Sequence, residues 1–283
     1  MTSFLALEPT PFALAAARPV ARPGMIWVIT APSLHRLSKQ PGAAPLIARF
    51  FGSPLYSILV SGQDGGSALP GAVRSRSFAS YSAMRREMRE RATPDPPRVV
   101  VLDLEAWPQT PPMERRSPAR YYRLAGALAR RRGLSLVATP SPNLAPKGRS
   151  PLYLRFLQSG LVGEAAKAAR IIDIQAQGLE RNPSLYVSFV AAAAREARTA
   201  NPGVAVIAGL STNPDGRTVS ARTLYRDALF ARPYVDGFWL NIPEASTGCP
   251  RCGIARPEEA IGLLRRLARH GGFLPGSAVP TSA

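Results

Sequence analysis

From residue 25 onward the chain repeats one pattern: a short apolar run, a polar turn and an amphipathic stretch. Residues 26–30 form a β-branched run that ends in Ala31, Pro32 and Ser33. Residues 56–60 form a second, closed by a polar Gly-rich turn, and residues 72–78 a weaker third. Residues 80–91 read as a helix, because Met84 and Met88 lie four apart with charges on the opposite face. The pattern then sharpens. Residues 99–103 begin as an unbroken apolar run, the signature of a parallel strand covered on both faces. Ser117 as N-cap and Pro118 at the first helical position start a helix that stops at Gly133. Residues 134–139, 171–175, 204–208 and 237–241 supply further strands, and 152–167, 183–199, 220–230 and 257–270 further helical stretches.

About eight strands alternating with helices predict βαβ units and a parallel sheet, and eight units predict closure into a single (β/α)8 barrel of the TIM type. A length of 283 residues suits one such barrel. No phosphate-binding glycine loop follows any strand, which argues against an open nucleotide-binding sheet. No stretch of about 18 apolar residues predicts a membrane span. The barrel is expected over residues 25–270, followed by a disordered Gly/Pro/Ser-rich tail at 271–283. Residues 1–24 read as a flexible arm or a leader remnant. They make a poor signal peptide, since Glu8 and two prolines interrupt the apolar residues and no basic segment precedes them.

In such barrels the working face lies at the C-terminal ends of the strands. The polar residues there are Ser33; Gln63 and Asp64; Asp103 and Glu105; Thr139 and Asn143; Asp173, Gln175 and Gln177; Ser211, Thr212 and Asn213; and Trp239, Asn241 and Glu244. Amides, hydroxyls, carboxylates and one indole suit the hydroxyls and flat face of a sugar. Without a histidine or cation among them, no metal and no cofactor is expected. Asp103 and Glu105 stand two apart at the end of an apolar strand, so both face the barrel mouth. Two carboxylates held close cannot both ionise freely, so one becomes a candidate general acid. The competing reading pairs Asp103 with an arginine and leaves Glu105 on the solvated rim. Gln175 and Gln177 share one face with Asp173, as sugar-binding amides or as an interior hydrogen-bonded layer. Trp239 and Asn241 share the last strand's face, where Trp239 is either a sugar plate or packing. Trp107 and Asn213 complete the candidate binding set. His35 and His270 are expected at the surface.

A barrel strand ending in Asp103-x-Glu105, a polar strand two units later and Trp239 on the last strand together resemble the chitinase-type glycoside hydrolases of family eighteen. In outline the chain is also similar to secreted actinobacterial barrel proteins. The resemblance implies that Glu105 protonates the leaving oxygen, that Asp103 positions a substrate group for attack, and that Trp239 floors the sugar subsite. The chain departs from that motif at Arg98 and Val101, where the family has aspartates, and at Gln175 to Gln177, where it has a tyrosine. Those departures imply either a different substrate or a barrel that binds without cleaving.

Charge and cysteines change the picture less. Lys and Arg number 36 against 18 Asp and Glu, a net charge of +18, and 33 of the cations are arginines. The arginines are spread along the chain without interleaved aromatics, which fits a solvated surface better than a specific nucleic-acid platform. Cys249 and Cys252 are too few for a structural zinc site by themselves. A small loop disulfide, two free thiols or redox chemistry all remain open, the disulfide being expected if the protein is extracellular or at the cell surface. The expected function is a glycoside hydrolase acting on a polysaccharide. The alternatives are a non-catalytic carbohydrate-binding barrel and a polyanion-binding scaffold. A carbohydrate polymer is the expected partner, and the chain is expected to act as a monomer.

Overall fold

In a computed structural model, which describes residues 24–61, 69–90, 97–246, 249–270 and 272–275, eight strands close into one barrel in chain order, each parallel to its neighbours. The strands are β1 (Ile26–Thr30), β2 (Ser57–Ser61), β3 (Val73–Phe78), β4 (Val99–Leu102), β5 (Ser135–Ala138), β6 (Ile171–Ile174), β7 (Ala205–Ser211) and β8 (Gly237–Asn241). Around them lie α1 (Ala31–Ser38), α2 (Ala43–Phe51), α3 (Tyr81–Glu90), α4 (Pro112–Arg116), α5 (Pro118–Arg131), α6 (Leu152–Gln158), α7 (Leu161–Ala168), α8 (Pro183–Ala200), α9 (Ala221–Ala231) and α10 (Pro257–Arg269). The (β/α)8 architecture is therefore the one the alternation of patterns predicts.

Period-two alternation splits the apolar residues into two cores. Val28, Ile58, Val60, Val99, Val101, Val137, Ile171, Ile207 and Trp239 fill the barrel interior. Their chain neighbours, such as Trp27, Leu59, Val100, Leu102, Ile172 and Phe238, pack outward against the helices. Each such side chain contributes about 1.5–3 kcal/mol on burial. The same alternation fixes register: a one-residue slip of β4 would drive Asp103 under the helices and expose Leu102 and Leu104 in the mouth.

Three segments differ from expectation. The sequence pattern assigns no bounded helix between residues 31 and 55, where α1 and α2 lie. Thr30 is the N-cap of α1, its Oγ1 accepting from Ser33 N at 3.2 Å, so the Ala31, Pro32 and Ser33 run opens a helix rather than a turn. The helical stretch at 152–167 is two helices, broken at Gly160, whose φ of 68° continues no right-handed helix. The composition of the tail predicts fraying from 271, but 272–275 are packed. Phe273 is buried against Phe238, and its carbonyl accepts from Trp27 Nε1 at 2.8 Å. An aromatic ring under the barrel floor outweighs the Gly-rich composition around it. The arm over 1–23, the residues 276–283, and the candidates Gln63 and Asp64 lie outside the described residues.

Candidate active site

Along β4, the inward Val99 and Val101 give way to Asp103 and then Glu105. Along β6, Ile171 gives way to Asp173, Gln175 and Gln177. On β8, Trp239 is followed by Asn241. Each strand thus changes from apolar to polar on one face as it reaches the mouth, and all of these polar residues line one cavity of about 400 Å³.

The carboxyls are held by neighbouring strands. Asp103 Oδ1 accepts from Thr139 Oγ1 at 2.7 Å and from Gln175 Nε2 at 2.9 Å. Gln175 Nε2 also reaches Thr139 O at 2.9 Å, tying β4, β5 and β6 together at the mouth. Asn143 Nδ2 donates to Glu105 Oε2 at 3.2 Å, while Asn143 Oδ1 accepts from Ala106 N at 2.7 Å. Asp173 Oδ1 is buried without a hydrogen-bond partner among the described residues, and the residue is only 2% exposed. Trp239 Nε1 is likewise buried and without a partner there. An unsatisfied buried donor and acceptor lining one cavity are what a ligand with hydroxyl groups would satisfy.

Burial dominates the electrostatics. It pushes Asp103 up to about 6, against the pull of the Thr139 and Gln175 hydrogen bonds. It pushes Glu105 up to about 8, and the Asp103 charge adds to the rise while Asn143 and Gln175 oppose it. Asp173 is raised well above the carboxylate range, by burial first and by the Asp103 charge second. Burial raises Glu105 further than Asp103, and the Asp103 charge adds to that rise, so of the two Glu105 keeps its proton to the higher pH. No group of three His, Cys, Asp or Glu placed to hold a metal ion occurs among the described residues.

Gln177 reaches the cavity because residue 209 is a glycine. A Cβ there would lie 2.1 Å from Gln177 Nε2. Gly209→Ala should displace that amide at a stability cost of about 1 kcal/mol or less, since only the tip of a flexible side chain must move. Thermal unfolding should then stay near wild type while glycan affinity falls severalfold. Unchanged affinity would remove Gln177 from the binding set.

Not all candidates converge. Asn213 is buried outside the cavity lining, its Nδ2 donating to Pro243 O, Cys252 O and Ile254 O at 3.0, 2.7 and 3.1 Å. It clamps the loop after β8 and is unavailable to a ligand. Trp107 turns away to donate to Thr110 Oγ1 at 2.8 Å, pinning the loop after β4. Ser33 accepts from Ile242 N, and Glu244 pairs with Arg36 at 2.9 Å on the surface. Ser211 lines the cavity, whereas Thr212 is buried and donates to Asn213 Oδ1. His35 and His270 are exposed.

Other residues join the site unforeseen. Tyr153 on α6 lines the wall, its hydroxyl donating to Gln177 O at 3.2 Å. Arg251 and Asp215 form part of the rim. Beneath it, fully buried Glu180 accepts from Gly178 N at 2.6 Å and Ser211 N at 2.8 Å, fastening the loop after β6 to the end of β7. No local pattern marks these positions. Cys249 and Cys252 form a disulfide with Cα atoms 5.4 Å apart, and Cys252 lines the cavity.

No protein-family model matches the chain, and no curated protein does. Several solved structures resemble it. Active domain 2 of a thermostable chitinase from Pyrococcus furiosus, solved with chito-oligosaccharides, is 10% identical over 89% of this chain and 98% of that one, with a TM-score of 0.47. A β-1,3-glucanosyltransferase from Rhizomucor miehei, solved with laminaritriose, is 7% identical over 81% and 92%, with a TM-score of 0.38. A putative deoxyribose-phosphate aldolase from Toxoplasma gondii is 13% identical over 84% and 72%, also at 0.38. At these identities the likeness is one of barrel fold, which the closed eight-stranded sheet establishes by itself.

Proposed function

We propose that this barrel is a glycoside hydrolase acting on a polysaccharide, with Glu105 as general acid and Asp103 as the carboxylate that assists it. The observation that carries this reading is the pairing of the two carboxyls at the end of β4. Burial and the neighbouring charge let Glu105 keep its proton to a higher pH than Asp103 does. Glu105 donates its proton to the glycosidic oxygen as the C1–O bond breaks, and Asp103 faces the positive charge that grows on the sugar ring. A water then adds to C1 and returns its proton to Glu105. Gln175, Gln177, Asn241, the orphaned Asp173 carboxyl and the Trp239 indole supply hydroxyl contacts.

A binding barrel without turnover is the second reading. It is favoured by the two hydrogen bonds that occupy Asp103 Oδ1 and so give that carboxyl a structural part. Incubation with a panel of β-linked glycans, followed by reducing-end release and calorimetric binding, separates the two. Release supports the hydrolase, and binding without release supports the lectin-like barrel.

The disulfide supports export to an oxidising compartment or the cell surface. Protein recovered from the culture medium should resist alkylation at Cys249 and Cys252 until reduced. Two readily alkylated thiols in that material would refute the bridge.

A further inference from the structure

The cavity at the barrel mouth does not end at its own rim. On the far side of a short 3-10 turn, Pro214–Gly216, lies a second hollow of about 410 Å³. Pro214 and Asp215 line both, so the turn is a ridge between two adjacent depressions. The second hollow has the volume of a small-ligand subsite.

The two depressions differ in charge. The first is lined in its depth by carboxyls, amides and hydroxyls. The second carries Arg181 and Arg217, whose guanidinium groups make no hydrogen bond or ion pair among the described residues. Arg251 stands on the cavity side of the ridge, 85% exposed and 3.7 Å from Asp215, itself 66% exposed. Such an open pair is worth little. One acidic side chain thus faces three guanidiniums across the ridge.

The backbone under these arginines is fastened. Arg181 directly follows buried Glu180, whose carboxyl binds Gly178 N and Ser211 N. Arg251 lies between the two cysteines of the disulfide, and Asn213 holds the carbonyl of Cys252. Asp215 is the sole non-glycine residue with positive φ among the described residues, at 50°. A conformation that L-residues rarely adopt is thus maintained at the crest of the ridge.

We propose that this cationic hollow is a subsite of the same cleft, and that the polysaccharide taken by the barrel bears anionic groups, carboxylate or phosphate. This rests on the carbohydrate reading of the barrel mouth. A sugar unit sits neutral among the hydroxyl-binding groups at the mouth, and a unit further along crosses the ridge to place its anion between Arg181 and Arg217. Guanidinium forks suit both anions, since each offers paired oxygens to parallel N–H donors.

The test compares binding and cleavage of polygalacturonate, a phosphorylated mannan and neutral cellohexaose by the whole chain. The inference expects at least one acidic polymer to bind about tenfold or more tightly than the neutral one, with an affinity that falls as salt rises from roughly 50 to 300 mM. Which acidic polymer wins distinguishes carboxylate from phosphate. Arg181→Ala with Arg217→Ala should abolish that preference and leave neutral binding unchanged. Arg195→Ala with Arg266→Ala, exposed arginines that do not line the groove, removes the same charge and should change nothing. Failure of every acidic polymer to bind at the lower salt overturns the inference. So does equal binding of acidic and neutral glycans, an acidic preference that survives the Arg181 and Arg217 changes, or duplex DNA held as tightly as the best glycan. Acidic binding lost with Arg181 and Arg217 but unaffected by Asn241→Ala, and never followed by cleavage, would keep the anion subsite and refute the hydrolase. Cleavage of acidic glycans no better than of neutral ones, and indifferent to the Arg181 and Arg217 changes, would do the reverse.

Discussion

Glu105→Gln should lower the cleavage of any glycan the protein hydrolyses by about a hundredfold to ten-thousandfold while leaving affinity and fold intact. The substitution keeps the shape of the side chain and an atom for Asn143 to contact, but it removes the proton. Loss should appear in kcat rather than KM, because the proton is transferred in the transition state and not on binding. Asp103→Asn should also cost activity, and it should shift the pH profile. The Asp103 charge is the second cause of the raised Glu105 value, so neutralising it moves the alkaline limb to lower pH. In the parent protein that limb should fall near pH 8, where Glu105 loses its proton, at about tenfold per unit beyond. An active parent whose Glu105→Gln variant matches it would eliminate Glu105 as the acid.

Stability should fall as pH rises from about 4 towards 8, the reverse of the usual acid denaturation. The sign follows from linkage. A carboxyl whose folded value lies above its unfolded one holds a proton in the native state that the unfolded chain releases. Its contribution is full below the unfolded value and is lost as pH climbs to the folded one. The acids that shift this way include Asp173, raised well above the carboxylate range, Asp103, to about 6, Asp227, to about 7, and Glu105 and Glu180, each to about 8. Between those limits each group costs up to about 1.4 kcal/mol per pH unit. Asp227 is the cleanest case. It is fully buried on α9, neither oxygen has a partner among the described residues, and burial is the first cause of its rise. Thermal unfolding at about pH 5, 6.5 and 8 should show a falling midpoint, and Asp227→Asn should raise the midpoint at the highest pH while changing little at the lowest. A midpoint that rises with pH, or an Asp227→Asn variant less stable than the parent at the alkaline end, would contradict the linkage.

The core of the site was legible because a strand carries its own geometry. Side chains two apart share a face, so Asp103 with Glu105, Asp173 with Gln175 and Gln177, and Trp239 with Asn241 could be placed together from their spacing. The inward Val99 and Val101 show the same rule at work lower in the barrel. Asn213 and Trp107 illustrate its limit. Asn213 lies two residues past the end of β7, and three carbonyls from the loop between 243 and 254 capture its amide. Trp107 lies two residues past Glu105, where the strand has ended and period two no longer holds. Its indole goes to Thr110 instead. Asn143 stands among the strand-end polar residues, yet its bond to Glu105 depends on how the loop after β5 folds over β4.

The sequence alone determined the alternation of strands and helices, the closure into an eight-stranded barrel, and the acidic pair at the end of β4. These follow from local periodicity and chain-order pairing, which need no knowledge of distant residues. Tertiary structure alone decided that Tyr153 and Arg251 join the cavity, that Gly209 makes room for Gln177, and that Asp173 and Trp239 go unpartnered into its floor. It also decided that Glu180 and Asp227 are buried, which raises both above the ordinary carboxylate range. Those properties depend on which groups from separate helices and loops meet in space and on how much water they exclude, and no spacing along the chain encodes either.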